Sequence, residues 1–312
     1  KAYNAGLAGT SIYEIFKAFK FANKQSNLKK VVLGLDAISF HSKKGAGGDY
    51  HQSKFSQSFI QLNFLSSEIF SKDKILESFE TITFNLKNKR DEYISSGFIK
   101  RNDSPESIRR ELFINTIKEF LVREDLYPGL YDSPQRLELL KEIFNRRKDD
   151  TKLYLFISPI HAYQLEGMKS INRFSLFEQW KRDLVQIVAE DAIANPNKQP
   201  IVLWDFSGYN SITTEKIPPA GSKKEMKWYW ESSHYKKEVG DMVLDVMFNY
   251  PEKSQNTPSD FGVIINSNNI ESHLERIRKE QALYKQNFPQ EVKEVERLAR
   301  ETAHLRKASK ID

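Results

Sequence analysis

Glu231-Ser232-Ser233-His234 is the pattern in this chain most suited to chemistry. A carboxylate three residues ahead of an imidazole can fold back within one turn, hold the ring in one tautomer and stabilise its charged form. The ring is then free to move a proton as a general base. Such a pair serves acyl transfer when a hydroxyl nucleophile and amide donors for the developing oxyanion are close by. Four further polar clusters follow short apolar runs: Gly6 to Ser11, which includes Gly9; Asp36 to Ser39; Ser158 to His161; and Asp205 to Asn210. Ligands of open parallel sheets bind beyond the carboxyl ends of the strands, so these clusters are candidates to line a pocket. Each also has a plainer account. Gly6 and Gly9 suit a tight turn, and Ser11 suits a helix cap. Glu231 would favour the positive end of the helix that follows it. Asp36 could be a polar strand end and His161 a structural loop histidine. Asp205, Ser207 and Asn210 could simply shape their loop.

The elements that would position these groups follow from periodicity. Tyr3 to Leu7 reads as a strand, and Ser11 with Glu14 reads as a capping box opening a helix with Ile12, Ile15, Phe16 and Phe19 on one face. Val31 to Leu35 reads as a buried strand, completing a strand–helix–strand unit of a parallel sheet. Residues 41–150 differ: a Gly- and Lys-rich loop, then helices starting at Ser104-Pro105 and Ser133-Pro134, suggest a helical insertion or lid. The α/β pattern resumes with strands at Lys152 to Ile157 and Pro200 to Trp204. Between them Ser175 and Glu178 predict a second capping box. A helix carrying Val239, Met242, Val243 and Val246 follows His234. The expected organisation is therefore an α/β domain over 1–260 and a helical C-terminal tail over 261–312, broken near Pro289.

Composition narrows the classes. The chain has 312 residues, 39% of them hydrophobic and 29% charged, with a formal charge of +6 spread through mixed-sign helices. That distribution argues for a solvated surface and against a nucleic-acid site. No apolar run approaches the ~18 residues of a membrane span. There is no cysteine, which excludes disulfides and thiolate metal sites. His41, His51, His273 and His304 show no ligand spacing, so neither a metal nor a cofactor is expected. The absence of a Gly-rich phosphate loop weighs against a nucleotide-binding flavodoxin-like domain. Trp228, Tyr229 and Trp230 could stack on a sugar ring, with core packing the plainer alternative.

Three of these segments resemble conserved blocks of the SGNH (GDSL-like) hydrolase and acyltransferase superfamily. Asn4-Ala5-Gly6-Leu7-Ala8-Gly9-Thr10-Ser11 resembles the second block, Val31-Val32-Leu33-Gly34-Leu35-Asp36 the third, and Glu231-Ser232-Ser233-His234 the fifth. The order fits across residues 3–248, and the likeness is greatest to periplasmic proteins similar to alginate O-acetyltransferases. The resemblance implies a flavodoxin-like, three-layer parallel sheet. It also implies an O-acetyltransferase or esterase acting on a cell-envelope glycan, in a periplasmic setting, with an acyl donor or an envelope protein as partner. His234 would be the base, Glu231 its orienting acid, and Gly9 and Asp36 would lie at the oxyanion, with His161 or Asp205 nearby. The first block, which carries the serine, is expected upstream of Lys1, together with its strand and a signal or anchor. Asp36 stands where the family has asparagine, and Glu231 where it has aspartate. Both departures favour the alternative, a catalytically degenerate SGNH domain used for binding or assembly.

Overall fold

In the computed structural model, residues 9–44, 105–249 and 257–308 are described. The chain divides into two compact units, Lys1–Thr10 with Ala46–Pro105, and Ser11–Gly45 with Glu106–Asp312. All the elements below belong to the second unit. The strand expected at Tyr3 to Leu7 and the loop at Lys43 to Gly48 beyond Lys44 lie outside the described residues.

Helix α1 (Ile12–Gln25) opens with the expected box: the Glu14 carboxylate accepts from the Ser11 backbone N–H at 2.5 Å and from its hydroxyl at 2.8 Å. Strand β1 (Lys30–Leu35) follows. The helical stretch contains α2 (Arg109–Val122) and α3 (Leu137–Arg146), the latter preceded by a 3-10 turn with Pro134 at its start. Then come β2 (Lys152–Ile157), α4 (Ala162–Ser170), α5 (Phe174–Ala194), β3 (Val202–Asp205) and α6 (Lys237–Phe248). Strand β4 (Val263–Ile264) precedes the tail helices α7 (Ile270–Asn287), α8 (Pro289–Glu301) and α9 (Ala303–Ala308).

The described sheet runs β1-β2-β3-β4. The first three strands are parallel, with Leu35 beside Ile157 and Ile157 beside Asp205; β4 pairs antiparallel with β3. The architecture is thus α/β with a mostly parallel, mixed sheet, which corrects the wholly parallel expectation. The tail is also more than helical, since it contributes the fourth strand and shares the unit of the sheet. Leu153, Leu155, Ile157 and Leu203 are buried in the sheet, and each such side chain contributes roughly 1.5–3 kcal/mol when removed from water. Gly34 permits a close approach: a Cβ there would lie 2.8 Å from the tip of the Phe156 ring on the neighbouring strand. Val292, Val295 and Leu298 of helix α8 are buried, and the helix packs against α4.

Two local expectations change. Ser175 and Glu178 form no capping box. Helix α5 starts two residues earlier, at Phe174, with the Leu176 and Phe177 amides both bonded to the Arg173 carbonyl, while Glu178 is taken by the Arg278 guanidinium at 2.8 and 2.9 Å. Directly after Ser158 to His161 comes helix α4, which periodicity did not single out. His161 caps it, accepting the Tyr163 N–H at Nδ1. No helix among the described residues is long and apolar enough to cross a membrane.

Candidate functional site

The Glu-His pair lies on a tight turn between β3 and α6. Tyr229 and Tyr235 face one another in an antiparallel bridge; the Trp230 N–H donates to the His234 carbonyl at 2.9 Å, and the Lys236 N–H to the Trp228 carbonyl at 2.7 Å. At the tip the Glu231 carboxylate is buried and bonded to His234 Nδ1. It also accepts the Ser233 backbone N–H at 2.7 Å and the Ser233 hydroxyl at 3.0 and 3.1 Å. With Nδ1–H directed at the carboxylate, the imidazole carries its lone pair on Nε2. The His234 side chain is 62% exposed and, among the described residues, no bond occupies that nitrogen. Burial by itself would raise the Glu231 pKa, but the bond and charge of His234 and the Ser233 N–H together hold it below the ordinary value.

The turn is fastened to the carboxyl end of β2. The His161 N–H donates to the Ser232 carbonyl at 3.1 Å, and the Tyr229 hydroxyl to the Pro159 carbonyl at 2.7 Å. Gln164, on α4, donates to the Ser232 hydroxyl at 2.9 Å and accepts from the Tyr127 hydroxyl. The base of the turn is held by the Glu215 carboxylate, which accepts the Lys227 and Trp228 amides at 2.5 and 2.9 Å. The Arg109 guanidinium donates to the Trp230 carbonyl at 2.5 Å.

Asp36 is the first residue past β1, whose last pair is Leu35 beside Ile157, so the β1 end adjoins the β2 end to which the Glu-His turn is fastened. Burial raises the pKa of its carboxyl, against the lowering influence of the Ser158 side chain and of the Lys44 and His234 charges. Burial raises the Tyr127 pKa well above the usual phenol value, and the Asp36 and Glu231 charges raise it further.

The other expected residues are placed differently. His161 is fully buried, edge-on to the rings of Phe113 and Tyr229. Nδ1 accepts from Tyr163 and Nε2 donates to the Glu215 carbonyl at 2.7 Å, leaving no ring nitrogen for a substrate. Burial pushes its pKa down to about 4, so it remains a neutral strut. Asp205 is likewise enclosed. Its carboxylate accepts from Lys181 Nζ at 2.6 Å, His273 Nε2 at 2.8 Å, and the Ser207 N–H and hydroxyl at 2.9 and 2.7 Å. Burial would raise its pKa, but the Lys181 charge and the His273 bond hold it far below the carboxylate range. Both residues support the fold and expose no polar atom to a pocket. Gly9 belongs to the other unit and is described by its own backbone, left-handed at φ 60°. Ser233 is signalled by its place inside the Glu-x-x-His pattern. Tyr127, Gln164, Glu215, Lys181 and His273 carry no such signal, because their partners are distant in the chain. Among the described residues no group of three or more His, Cys, Asp or Glu side chains is gathered as a metal set.

Comparison with protein-family models, with curated proteins and with solved structures gives no match.

Proposed function

We propose that this protein carries out acyl-ester chemistry of the SGNH kind, as an O-acetyltransferase or esterase acting on a glycan of the bacterial cell envelope. The observation that carries the reading is the Glu231–His234 dyad, with Nδ1 bound to a buried carboxylate and the His234 side chain 62% exposed. In that tautomer His234 takes the proton of a hydroxyl as its oxygen attacks the ester carbonyl, and the carbonyl π pair moves onto oxygen. When the pair returns, the bond to the leaving oxygen breaks and His234 hands that oxygen the proton. A second hydroxyl, from water or from a sugar acceptor, repeats the cycle on the acyl-enzyme. The resemblance of residues 3–248 to the superfamily implies that the first hydroxyl is a serine preceding residue 1. It also implies the flavodoxin-like, three-layer arrangement and the periplasmic setting.

The test is fluorophosphonate labelling and p-nitrophenyl acetate turnover by the full-length protein. Labelling of one serine, with turnover abolished in His234→Ala while the fold is retained, is the expected result. Turnover unchanged in His234→Ala refutes the general-base role. A full-length protein that neither labels nor turns over is a binding or assembly domain, the reading that the Asp36 and Glu231 departures favour.

A further inference from the structure

Among the described residues, every hydrogen bond that the Glu231 carboxylate receives comes from its own turn. One donor is His234 Nδ1; the others are the Ser233 N–H at 2.7 Å and the Ser233 hydroxyl, at 3.0 and 3.1 Å from the two carboxylate oxygens. The same hydroxyl stands 3.1 Å from Nδ1. It has one hydrogen to give. Nδ1 already carries a proton directed at Glu231, so the hydroxyl hydrogen goes to the carboxylate. Glutamate has one more rotatable bond than aspartate, and its carboxylate swings away from an imidazole more readily. A single bond to an exposed ring is a weak restraint on that swing. Ser233 adds two donors, one from the main chain and one from the side chain, and a buried anion gains from each of them.

We propose that Ser233 is the positioning residue of the dyad: its hydroxyl fixes the Glu231 carboxylate against Nδ1 and so keeps His234 in the tautomer whose Nε2 can take a proton. The link to turnover rests on the acyl-transfer reading; the fixed tautomer does not. Ser233 acts through Glu231 alone, and no bond to it forms or breaks in the reaction. The hydroxyl also sets how readily the dyad gains a proton. A donor to the carboxylate draws off part of its negative charge and weakens its attraction for an imidazolium. Without that donor the dyad, which titrates as one unit, takes up its proton at higher pH. The other titratable and charged groups around the turn are Asp36 past β1, Tyr127 from the α2–α3 connection, His161 at the cap of α4, Glu215 and Arg109 at the base of the turn, and Lys236 on its return strand. Removing the Ser233 hydroxyl leaves each of these in place, so the change in proton uptake belongs to the lost donor.

The experiment compares Ser233→Ala and Ser233→Thr with the parent in the full-length protein. Isotopically labelled ring nitrogens of His234 are followed by NMR, with their signals assigned by loss in His234→Ala, and p-nitrophenyl acetate turnover is measured against pH. In the neutral ring of the parent, Nδ1 is the protonated nitrogen and Nε2 the bare one. In Ser233→Ala both nitrogens move toward the values of a tautomer mixture, and the acid limb of kcat/KM moves to higher pH. Its kcat falls about tenfold at unchanged KM, the effect of losing one hydrogen bond to a charged group. Ser233→Thr keeps the hydroxyl and recovers the single tautomer and most of kcat. A parent tautomer in Ser233→Ala overturns the proposal, as does a parent kcat in that variant or a Thr variant that matches Ala in both readouts. The two readings fail separately. A parent protein without ester turnover sinks acyl transfer alone, while the ring nitrogens still decide whether Ser233 fixes the dyad.

Discussion

Replacing Lys181 by Met should cost about 3–5 kcal/mol of stability, because it removes one partner of a buried ion pair and strands the other. Lys181 Nζ lies 2.6 Å from Asp205 and 2.8 Å from the Ser207 hydroxyl, and the paired side chains are 1% and 0% exposed. Methionine fills nearly the same space, so the loss is electrostatic rather than a cavity. The Asp205 carboxylate would keep His273 and Ser207 but lose its one close cation that is charged whatever the state of His273. Against a typical margin of roughly 5–15 kcal/mol, the change consumes at least about a fifth of the whole. At about 2–4 °C per kcal/mol for a domain of this size, the melting midpoint should fall by at least ~6 °C. Urea denaturation followed by tryptophan fluorescence measures it directly, with the slope confirming that the native state is intact. Adding Asp205→Asn to Lys181→Met removes the stranded charge and should recover at least about half of the loss. A single variant within ~1 kcal/mol of the parent, or a double variant worse than the sum of the singles, refutes the account of Asp205 as an enclosed structural anion.

Three further outcomes follow from other sites. The Glu231 pKa lies below its unfolded value, so its contribution to stability is complete above the unfolded pKa and is lost as pH falls toward the folded one; Glu231→Gln should therefore flatten the acid-side decline in urea midpoint between pH ~6 and ~3, and an unaltered decline contradicts the assignment. Gly129→Ala would place a Cβ 2.0 Å from His41 Nε2 and 2.6 Å from the Glu124 carbonyl, an overlap worth about 1–3 kcal/mol in denaturation; an unchanged midpoint would show that the His41 loop yields freely. The Lys227 and Trp228 amides bond to different oxygens of Glu215, so Glu215→Gln keeps an acceptor for only one of them and should lower the melting midpoint less than Glu215→Ala, which loses both and should cost several degrees; an unchanged midpoint in Glu215→Ala counts against the role of Glu215 in holding the turn.

What could be read from the sequence was local. The Ser11–Glu14 box, the strands at 31–35 and 152–157, and the Glu-x-x-His turn each depend on residues within a few positions of one another, and each forms. Tertiary partners decided the rest. Glu178 leaves its predicted box for Arg278, 100 residues away, since a buried carboxylate gains more from a two-pronged guanidinium than from a helix-end amide. Asp205 looked available because it ends a strand, but Lys181 and His273, 24 and 68 residues away, enclose it. His161 carries no mark in the sequence that separates a strut from a ligand; only the two bonds on its ring do so. Strand β4 is two residues long, too short for any alternation to announce it.

The way the Glu-His turn is attached bears on how such a protein can change over evolutionary time. What the turn offers to the rest of the fold is largely main chain: the carbonyls of Ser232 and Trp230 and the amides of Lys227 and Trp228. The groups that grip these atoms, the Glu215 and Arg109 side chains and the His161 N–H, come from elsewhere, while Glu231, Ser233 and His234 bond to one another at the tip. Placement and chemistry are thus written in separate residues. A lineage could exchange the tip residues for others, or lose them, and inherit the same loop in the same place. The scaffold is free to outlast its reaction, and a new activity can be tried at this position without first rebuilding the support beneath it.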